Sequence, residues 1–128
     1  MFISSESAIQ IPAEMIHYGM IKTANWRLSE RLAETTAGTN VTVNSVLPGP
    51  TASEGANNFV EKLARDQKST RQEVEKQFFQ NMRPTSLLKR MAEPDEVANL
   101  VTFVCSPLSS ATNGAALRVD GGVVRSIV

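Results

Sequence analysis

The chain has 128 residues, of which 41% are hydrophobic and 20% are charged, and its formal net charge is +0. This composition is typical of one soluble globular domain or of a part of one. The balanced charge argues against a nucleic-acid or anionic-membrane partner, which needs a basic patch, and no stretch is long and apolar enough to span a bilayer.

The N-terminal part predicts a short strand followed by a long helix. MFISS is a short apolar run that stops at serines, as the end of a strand does. Pro12 suits a helix start because its missing N–H is not needed there, and residues 13–37 contain no proline and end before Gly38, a predicted C-terminal cap. The helix carries an apolar stripe at helical spacing, which predicts a contact with the core or with a partner. The stripe consists of Met20, Ala24, Leu28 and Leu32, with Ile21 beside them.

The remaining elements alternate between strands and helices. Residues 41–47 alternate β-branched with polar side chains and predict a strand, which PGP ends. Amphipathic helices are predicted over 56–67, 70–82 and 92–106, and a last short strand over 115–120. Because strands and helices alternate, we expect an α/β fold with a parallel sheet.

We expect a single partial domain over residues 1–128. Neither an internal repeat nor a low-complexity tract nor a linker is visible. About three predicted strands are few for a parallel sheet, and the first begins almost at Met1, which would leave a sheet edge uncovered. The chain is therefore predicted to be a piece of a longer fold.

The segment HYGMIKTA places Tyr18 and Lys22 one helical turn apart, so that their side chains are neighbours. Such a pair is often only a surface contact, but it also suits acid–base chemistry. A tyrosine in water has a pKa of about 10, and a nearby ammonium favours its phenolate form. If a serine at the end of the first strand lies close by, these groups can polarise a carbonyl and protonate an alkoxide while a separate carrier delivers a hydride.

At these residues the sequence resembles the short-chain dehydrogenase/reductase family, and the resemblance extends over essentially the whole chain. Tyr18-Gly-Met-Ile-Lys22 matches the family's Tyr-x-x-x-Lys motif. Within FISSES, Ser5 stands at the family's usual interval before the tyrosine and is preferred to Ser4 and Ser7.

Two further segments resemble the family in the same order along the chain. VTVNSVLPGPTAS resembles the strand and Pro-Gly turn that hold the nicotinamide end of the cofactor, and residues 90–122 resemble the final helix, strand and Asp-Gly-Gly turn. Each motif alone is weak, whereas their order and intervals together are specific. The resemblance implies the C-terminal part of a Rossmann-type doubly wound parallel sheet, with a helical substrate-loop insertion.

The resemblance also implies an NAD(P)-dependent oxidoreductase that interconverts a carbonyl and an alcohol. Tyr18 would be the general acid/base, Ser5 would bind and polarise the substrate carbonyl, and Lys22 would favour the phenolate and hydrogen-bond the nicotinamide ribose. The implied cofactor-binding residues are Tyr18, Lys22, Pro48, Gly49, Thr51 and Ser53. NAD and NADP are not distinguished, because the residue that usually separates them lies near the end of a strand that this sequence lacks.

By the same resemblance, residues 54–86 correspond to the variable substrate-binding segment, which is often a mobile lid. Its side chains Phe59, Phe78, Phe79 and Met82 either line an apolar pocket or pack against the body of the protein. An apolar pocket would favour a ketone, ring or acyl substrate over a highly charged metabolite.

The sequence departs from the family in the half that binds most of the cofactor. The glycine-rich turn whose helix receives the pyrophosphate is absent, and so is the family's catalytic asparagine. Two hypotheses follow: the chain represents the C-terminal half of such an oxidoreductase, which is expected to be inactive on its own because the N-terminal cofactor-binding half is absent, or it is a non-catalytic association fragment. We expect a homo-oligomer, a dimer or tetramer, because the long helix and the final helix and strand resemble the elements through which family members associate.

The other candidate residues favour structural roles. Cys105 lies in the apolar run LVTFVC and is predicted to be buried; as the single cysteine it excludes an internal disulfide and agrees with a reducing compartment. His17 points away from its neighbour on the helix, Trp26 suits packing or a subunit contact, and Asp120 suits a turn. One histidine and one cysteine cannot supply a zinc ligand set, so no metal is predicted. Without a secretory signal at the N-terminus, a cytoplasmic location is expected.

Overall fold

A parallel sheet forms the centre of the fold. The computed structural model describes residues 1–126, and within them three strands pair in the order β1-β2-β3, all parallel. The strands are β1 (Phe2–Ile3), β2 (Ser45–Pro48) and β3 (Ala116–Val119). Val46 of the central strand lies between Ile3 and Leu117 in register. The predicted α/β class with a parallel sheet is confirmed.

The strands are joined through helices in the predicted order. The helices are α1 (Ile16–Thr35), α2 (Glu54–Asp66), α3 (Arg71–Asn81) and α4 (Pro94–Val104). Short 3₁₀ turns occupy Glu6–Ala8, Ala13–Met15 and Pro107–Ser109. Among the described helices, none combines the length and the apolar character that a membrane crossing requires.

Strand β2 is shorter than the sequence pattern predicts, because it begins at Ser45 and not at residue 41. The backbone of Val43 shows why. Its N–H donates to the Asn113 side-chain oxygen at 2.8 Å, and its carbonyl accepts from the N–H of Gly114 at 2.9 Å. The backbone groups of Val43 are therefore satisfied by a loop and not by a neighbouring strand, and β2 begins only after this residue.

Helices α3 and α4 each begin with a capping box, which satisfies backbone N–H groups that have no partner within the helix. Thr70 and Glu73 form a reciprocal capping box at the start of α3. At the start of α4 the N–H of Glu93 donates to the Glu96 carboxylate at 2.8 Å. The Arg90 guanidinium, together with that backbone N–H, lowers the pKa of Glu96 to about 2. This carboxylate is therefore charged at neutral pH, and its negative charge interacts favourably with the positive end of the α4 dipole.

Helix α1 turns small side chains toward the body of the protein. Its buried residues are Gly19, Ser29 and Ala33. The Ser29 hydroxyl lies 2.6 Å from the hydroxyl of Ser45 on β2. A Cβ added at Gly19 would lie 2.6 Å from the side chain of Ile11, so the close approach at this position requires glycine.

The apolar stripe of α1 therefore faces outward, and its predicted burial in the core is wrong. Met20 is 62% exposed and Leu28 is 51% exposed. Ile21, Ala24 and Leu32 are exposed as well. Small residues, not large ones, occupy the side of the helix that approaches the sheet. The alternative that the sequence left open, a partner contact, stays a prediction.

Hydrophobic packing occurs on the central strand and between the helices that follow it. Val46 and Leu47 of β2 have no exposed surface. A second cluster joins α2, α3 and the segment after α3 and consists of Val60, Ala64, Val74, Phe79 and Met91. Burial of these side chains is what stabilises the pair of helices that the sequence assigns to the substrate.

Cys105 is exposed, so its predicted burial is wrong. Helix α4 ends at Val104, which is buried, and Cys105 is the residue that follows its last turn. The run LVTFVC is therefore not buried as a unit. A helix buries only one of its sides, and the exposed Cys105 thiol, which follows the end of α4, does not belong to the buried side.

Candidate active site

A cleft of about 340 Å³ opens where β1 and β2 end. It is lined by Ile3, Ser4, Ser5, Tyr18, Lys22, Pro48, Gly49, Thr51, Ser53 and Val97. The carboxyl ends of parallel strands are where ligands bind in open α/β sheets. Every residue that the sequence predicts for catalysis or cofactor binding lines this cleft; the individual roles stay predictions.

The serines of FISSES differ in what their hydroxyls contact. The Ser4 hydroxyl donates to the carbonyl of Lys22 at 2.7 Å and so joins the end of β1 to α1. The Ser5 hydroxyl donates to Glu6 Oε2 at 2.5 Å and accepts from the N–H of Ser7 at 3.1 Å. Ser7 is buried outside the cleft lining. Both hydroxyl protons are therefore engaged, that of Ser4 by a backbone carbonyl and that of Ser5 by a side-chain carboxylate.

Tyr18 and Lys22 meet on the face of α1 that borders the cleft. The Lys22 ammonium lies 5.4 Å from the centroid of the Tyr18 ring, within the range of a cation–π contact. It also donates to the carbonyl of Ile3 at 3.2 Å, which fixes it at the end of β1. His17, the adjacent residue, is exposed and does not line the cleft. The arrangement places a proton donor, a cation and a serine hydroxyl around one opening.

The turn after β2 is held against the end of β3. The N–H of Gly49 donates to the carbonyl of Val119 at 3.1 Å, and a Cβ at Gly49 would lie 2.6 Å from the carbonyl oxygen of Asp120. Only glycine fits this approach of two backbones. The Asp120 carboxylate accepts from the N–H groups of Gly122 and Val124 at 3.2 and 2.9 Å, which confirms its predicted role in a turn.

Thr51 and Ser53 contribute hydroxyls to the same cleft. The Thr51 hydroxyl donates to the carbonyl of Gly49 at 2.9 Å. Ser53 is the N-terminal cap of α2, and its hydroxyl accepts from the N–H of Ala56 at 3.3 Å. Helix α2 therefore begins at the rim of the cleft, with the partial positive charge of its N-terminus on that side.

An apolar groove of about 370 Å³ lies between α2 and α3, and Thr51 belongs to both the groove and the cleft. The large apolar side chains of its lining are Phe59, Val60, Leu63, Val74, Phe78, Met82 and Met91. The sequence proposes Phe59, Phe78 and Met82 for such a pocket. Phe79 does not line the groove. Its ring is buried in the cluster between α2 and α3, which is the packing role that the sequence left open as the alternative.

A buried ion pair beside the cleft was not predicted from the sequence. Arg83 Nε lies 3.4 Å from Glu6 Oε1, and Arg83 Nη1 lies 3.0 Å from Glu14 Oε1. The side chains of Arg83 and Glu6 are only 8% and 6% exposed. The backbone N–H of Glu14 and the Arg83 guanidinium lower the pKa of the Glu14 carboxyl. Glu6 and Arg83 are 77 positions apart, so no local pattern signals their contact.

The groups that commonly hold metal ions are dispersed. Across residues 1–126, no set of three or more His, Cys, Asp or Glu side chains is gathered closely enough to bind one. The polar groups of the cleft are hydroxyls, the Lys22 ammonium and the backbone of the turn after β2.

The sequence is similar to known oxidoreductases over almost its whole length. The sequence profile described as Enoyl-(Acyl carrier protein) reductase matches residues 1–124. An uncharacterized oxidoreductase of Bacillus subtilis, YvaG, is 51% identical over 126 residues, which are 98% of this chain and 48% of that protein. The chain spans about half the length of the curated relatives it matches.

Solved structures share the fold. A short-chain dehydrogenase family protein from Francisella tularensis superposes with a TM-score of 0.84 at 28% identity, over 95% of this chain and 49% of that chain. L-sorbose reductase from Gluconobacter frateurii, crystallised with NADPH and L-sorbose, superposes with a TM-score of 0.89 at 26% identity, over 98% of this chain and 46% of that chain.

Proposed function

Because the chain belongs to the short-chain dehydrogenase/reductase family, we propose that it carries the catalytic side chains of an oxidoreductase that interconverts a carbonyl and an alcohol. The observation that supports this proposal most directly is the cleft in which Ser5, Tyr18 and Lys22 meet. The chain spans about half of its curated relatives, so the activity of the whole protein is part of the proposal.

In the direction of reduction, Tyr18 donates its phenolic proton to the substrate oxygen, and the Ser5 hydroxyl hydrogen-bonds the same oxygen. The Lys22 ammonium, which lies over the Tyr18 ring, stabilises the phenolate that remains. In the direction of oxidation, the same phenolate accepts the proton of the alcohol.

The residues of the cleft fit the nicotinamide end of NAD or NADP. The Lys22 ammonium would hold the ribose, and the turn from Pro48 to Ser53 would hold the carboxamide, because these polar groups line one opening. When bound, the cofactor supplies the hydride. The L-sorbose reductase structure contains NADPH, which supports a nicotinamide cofactor without deciding between NAD and NADP.

The apolar groove favours a substrate with an apolar chain or ring next to its carbonyl. Its lining is dominated by aromatic, aliphatic and thioether side chains, and Phe59 at its edge is 61% exposed. Since Thr51 borders both the groove and the cleft, a substrate with its carbonyl near Ser5 can extend an apolar group toward α2 and α3.

Titration of the purified chain with NADH and with NADPH tests the proposal. We expect a saturable change in cofactor fluorescence and a higher melting temperature, because a ligand that binds only the folded state stabilises it. Replacing Lys22 by alanine should weaken binding by about tenfold, the effect of losing a charge-assisted hydrogen bond. Lys62→Ala, at an exposed lysine outside the cleft, is the matched control and should not change it. If neither cofactor bound to the chain or raised its melting temperature, the proposal for this chain would be contradicted.

We infer a second candidate function, association with another copy of the chain, from the outward stripe on α1. Large apolar side chains such as Met20 and Leu28 are more than half exposed along one helix, and a partner would remove them from water. A dimer or tetramer is proposed on this ground. A cytoplasmic location stays a prediction.

Sedimentation velocity over a range of concentrations tests the association. We expect the chain to be oligomeric and Leu28→Glu to raise the dissociation constant by about tenfold or more, because a carboxylate would be buried in the interface. Val41→Glu introduces the same charge at a position that is 57% exposed but lies outside α1, and it should leave association unchanged. A monodisperse monomer, or equal effects of the two substitutions, would contradict this function.

A further inference from the structure

The hydroxyl proton of Ser5 is already engaged by a carboxylate. Ser5 Oγ donates to Glu6 Oε2 at 2.5 Å and accepts from the N–H of Ser7 at 3.1 Å. A serine hydroxyl has one proton, so this proton cannot be given to Glu6 and to a substrate oxygen at the same time. A carbonyl oxygen that binds Ser5 must therefore replace the Glu6 carboxylate as the acceptor.

Glu6 is fixed in this position from its other oxygen. Arg83 Nε lies 3.4 Å from Glu6 Oε1, and Arg83 is held in turn by Glu14 Oε1 at 3.0 Å. Both Glu6 and Arg83 are almost completely buried. A hydrogen bond from a hydroxyl to a carboxylate is charge-assisted and is stronger than one to a neutral acceptor.

Arg83 also connects this pair to the apolar groove. Its Nη1 donates to the carbonyl of Met82 at 2.8 Å, and its guanidinium lies 5.6 Å from the centroid of the Phe78 ring. Met82 and Phe78 line the groove between α2 and α3. The residue that fixes Glu6 thus contacts the backbone of Met82 and the ring of Phe78, two residues of the groove that would hold the apolar part of a substrate.

We propose that Glu6 is a positioning residue that restrains the Ser5 hydroxyl, and that a carbonyl substrate gains the Ser5 hydrogen bond only by displacing Glu6 as its acceptor. The proposal rests on the proposed function, because it needs Ser5 to contact the substrate. Binding exchanges one acceptor for another, and the proton stays on Ser5. Arg83 sets the strength of the restraint by holding the competing carboxylate in place.

Steady-state kinetics of Glu6→Gln, in a preparation that reduces an apolar ketone with NADPH, test the restraint. The glutamine oxygen can remain toward Arg83 while its NH₂ group faces Ser5, which frees the Ser5 proton. Because a neutral group competes less strongly than a carboxylate, we expect KM for the ketone to fall about fivefold. The value of kcat should stay within about twofold, because the exchange is complete before the chemical step.

Glu34→Gln is the matched control for this experiment. It removes a carboxylate from the ion pair with Arg31, in which the Glu34 side chain is 63% exposed and neither residue lines the cleft, so both constants should remain at their starting values. A merely structural role of Glu6 would leave KM unchanged or raise it, and either result would overturn the proposal.

A double-mutant cycle separates this proposal from the proposed function. Unfolding of the chain and of Ser5→Ala, Glu6→Gln and the double variant gives the coupling between the two side chains without any turnover. We expect the hydrogen bond between Ser5 and Glu6 to raise the ratio of folded to unfolded chain by about fivefold or more, because it is charge-assisted. If Glu6→Gln does not fold, Glu6→Asp withdraws the carboxylate from Ser5 and closes the same cycle. Coupling below about twofold overturns the proposal, whereas strong coupling together with a ketone reductase activity that Tyr18→Phe leaves unchanged contradicts only the proposed function.

Discussion

Replacing Tyr18 by phenylalanine is expected to lower kcat by about 100- to 10,000-fold in a preparation that reduces a ketone with NADPH. The substitution keeps the ring over which the Lys22 ammonium lies, but it removes the hydroxyl that donates a proton to the substrate oxygen. Cofactor binding should survive, because the ammonium and the turn after β2 are unchanged. Turnover and cofactor titration of the same variant therefore separate loss of chemistry from loss of the site.

His17→Phe is the matched control for that experiment. It introduces the same ring at the adjacent position of α1, where the side chain is exposed and does not line the cleft. Turnover of this variant should stay close to that of the unmodified protein. If Tyr18→Phe retained most of the activity, the acid/base assignment would be incorrect.

Replacing Arg83 by methionine is expected to lower the free energy of unfolding by about 3–5 kcal/mol. The Glu6 carboxylate is buried, and Arg83 is its cationic partner. Methionine has a long unbranched side chain like that of arginine but carries no charge. The decrease in the free energy of unfolding would therefore come from the uncompensated Glu6 carboxylate and not from an empty cavity. Urea denaturation followed by circular dichroism measures it, provided that the slope of the transition is unchanged.

Two comparisons make this prediction specific. Arg31→Met breaks an ion pair with Glu34 in which both side chains are more than half exposed, and it should have little effect because water already screens that pair. The double variant Glu6→Gln with Arg83→Met removes both buried charges and should recover most of the lost stability. The prediction fails if Arg83→Met is no more harmful than Arg31→Met.

Local patterns predicted the elements of the fold, and the resemblance to a family, which rests on short motifs, implied the catalytic and cofactor-binding residues of the cleft. The spacing of Tyr18 and Lys22 on a helix, the serines at the end of an apolar run and the Pro-Gly turn are all short-range features of the sequence. Each of these motifs lies within one helical turn or at one strand end, and the local conformation there is largely determined by residues that are close in the sequence. The structure brings these segments to one opening because parallel strands end on the same side of a sheet.

Burial was the property that sequence patterns predicted least well. The stripe through Met20 and Leu28 has the spacing of a core-facing helix side, yet α1 approaches the sheet with Gly19, Ser29 and Ala33. Periodicity shows that a helix has an apolar side, but it does not show what that side meets. The exposed thiol of Cys105 has the same explanation, because an apolar run does not reveal where its helix ends.

The sequence alone was enough to predict the α/β class, the order of the elements and, through its resemblance to the family, the catalytic and cofactor-binding residues, because these depend on motifs whose members lie near one another in the chain. Only the tertiary structure decided which serine proton is held by a side chain, which aromatic rings line the groove, and that Arg83 fixes Glu6 beside Ser5. The physical reason is distance along the chain. Glu6 and Arg83 are 77 positions apart, and a buried charge is stable only next to a partner that the folded chain brings to it.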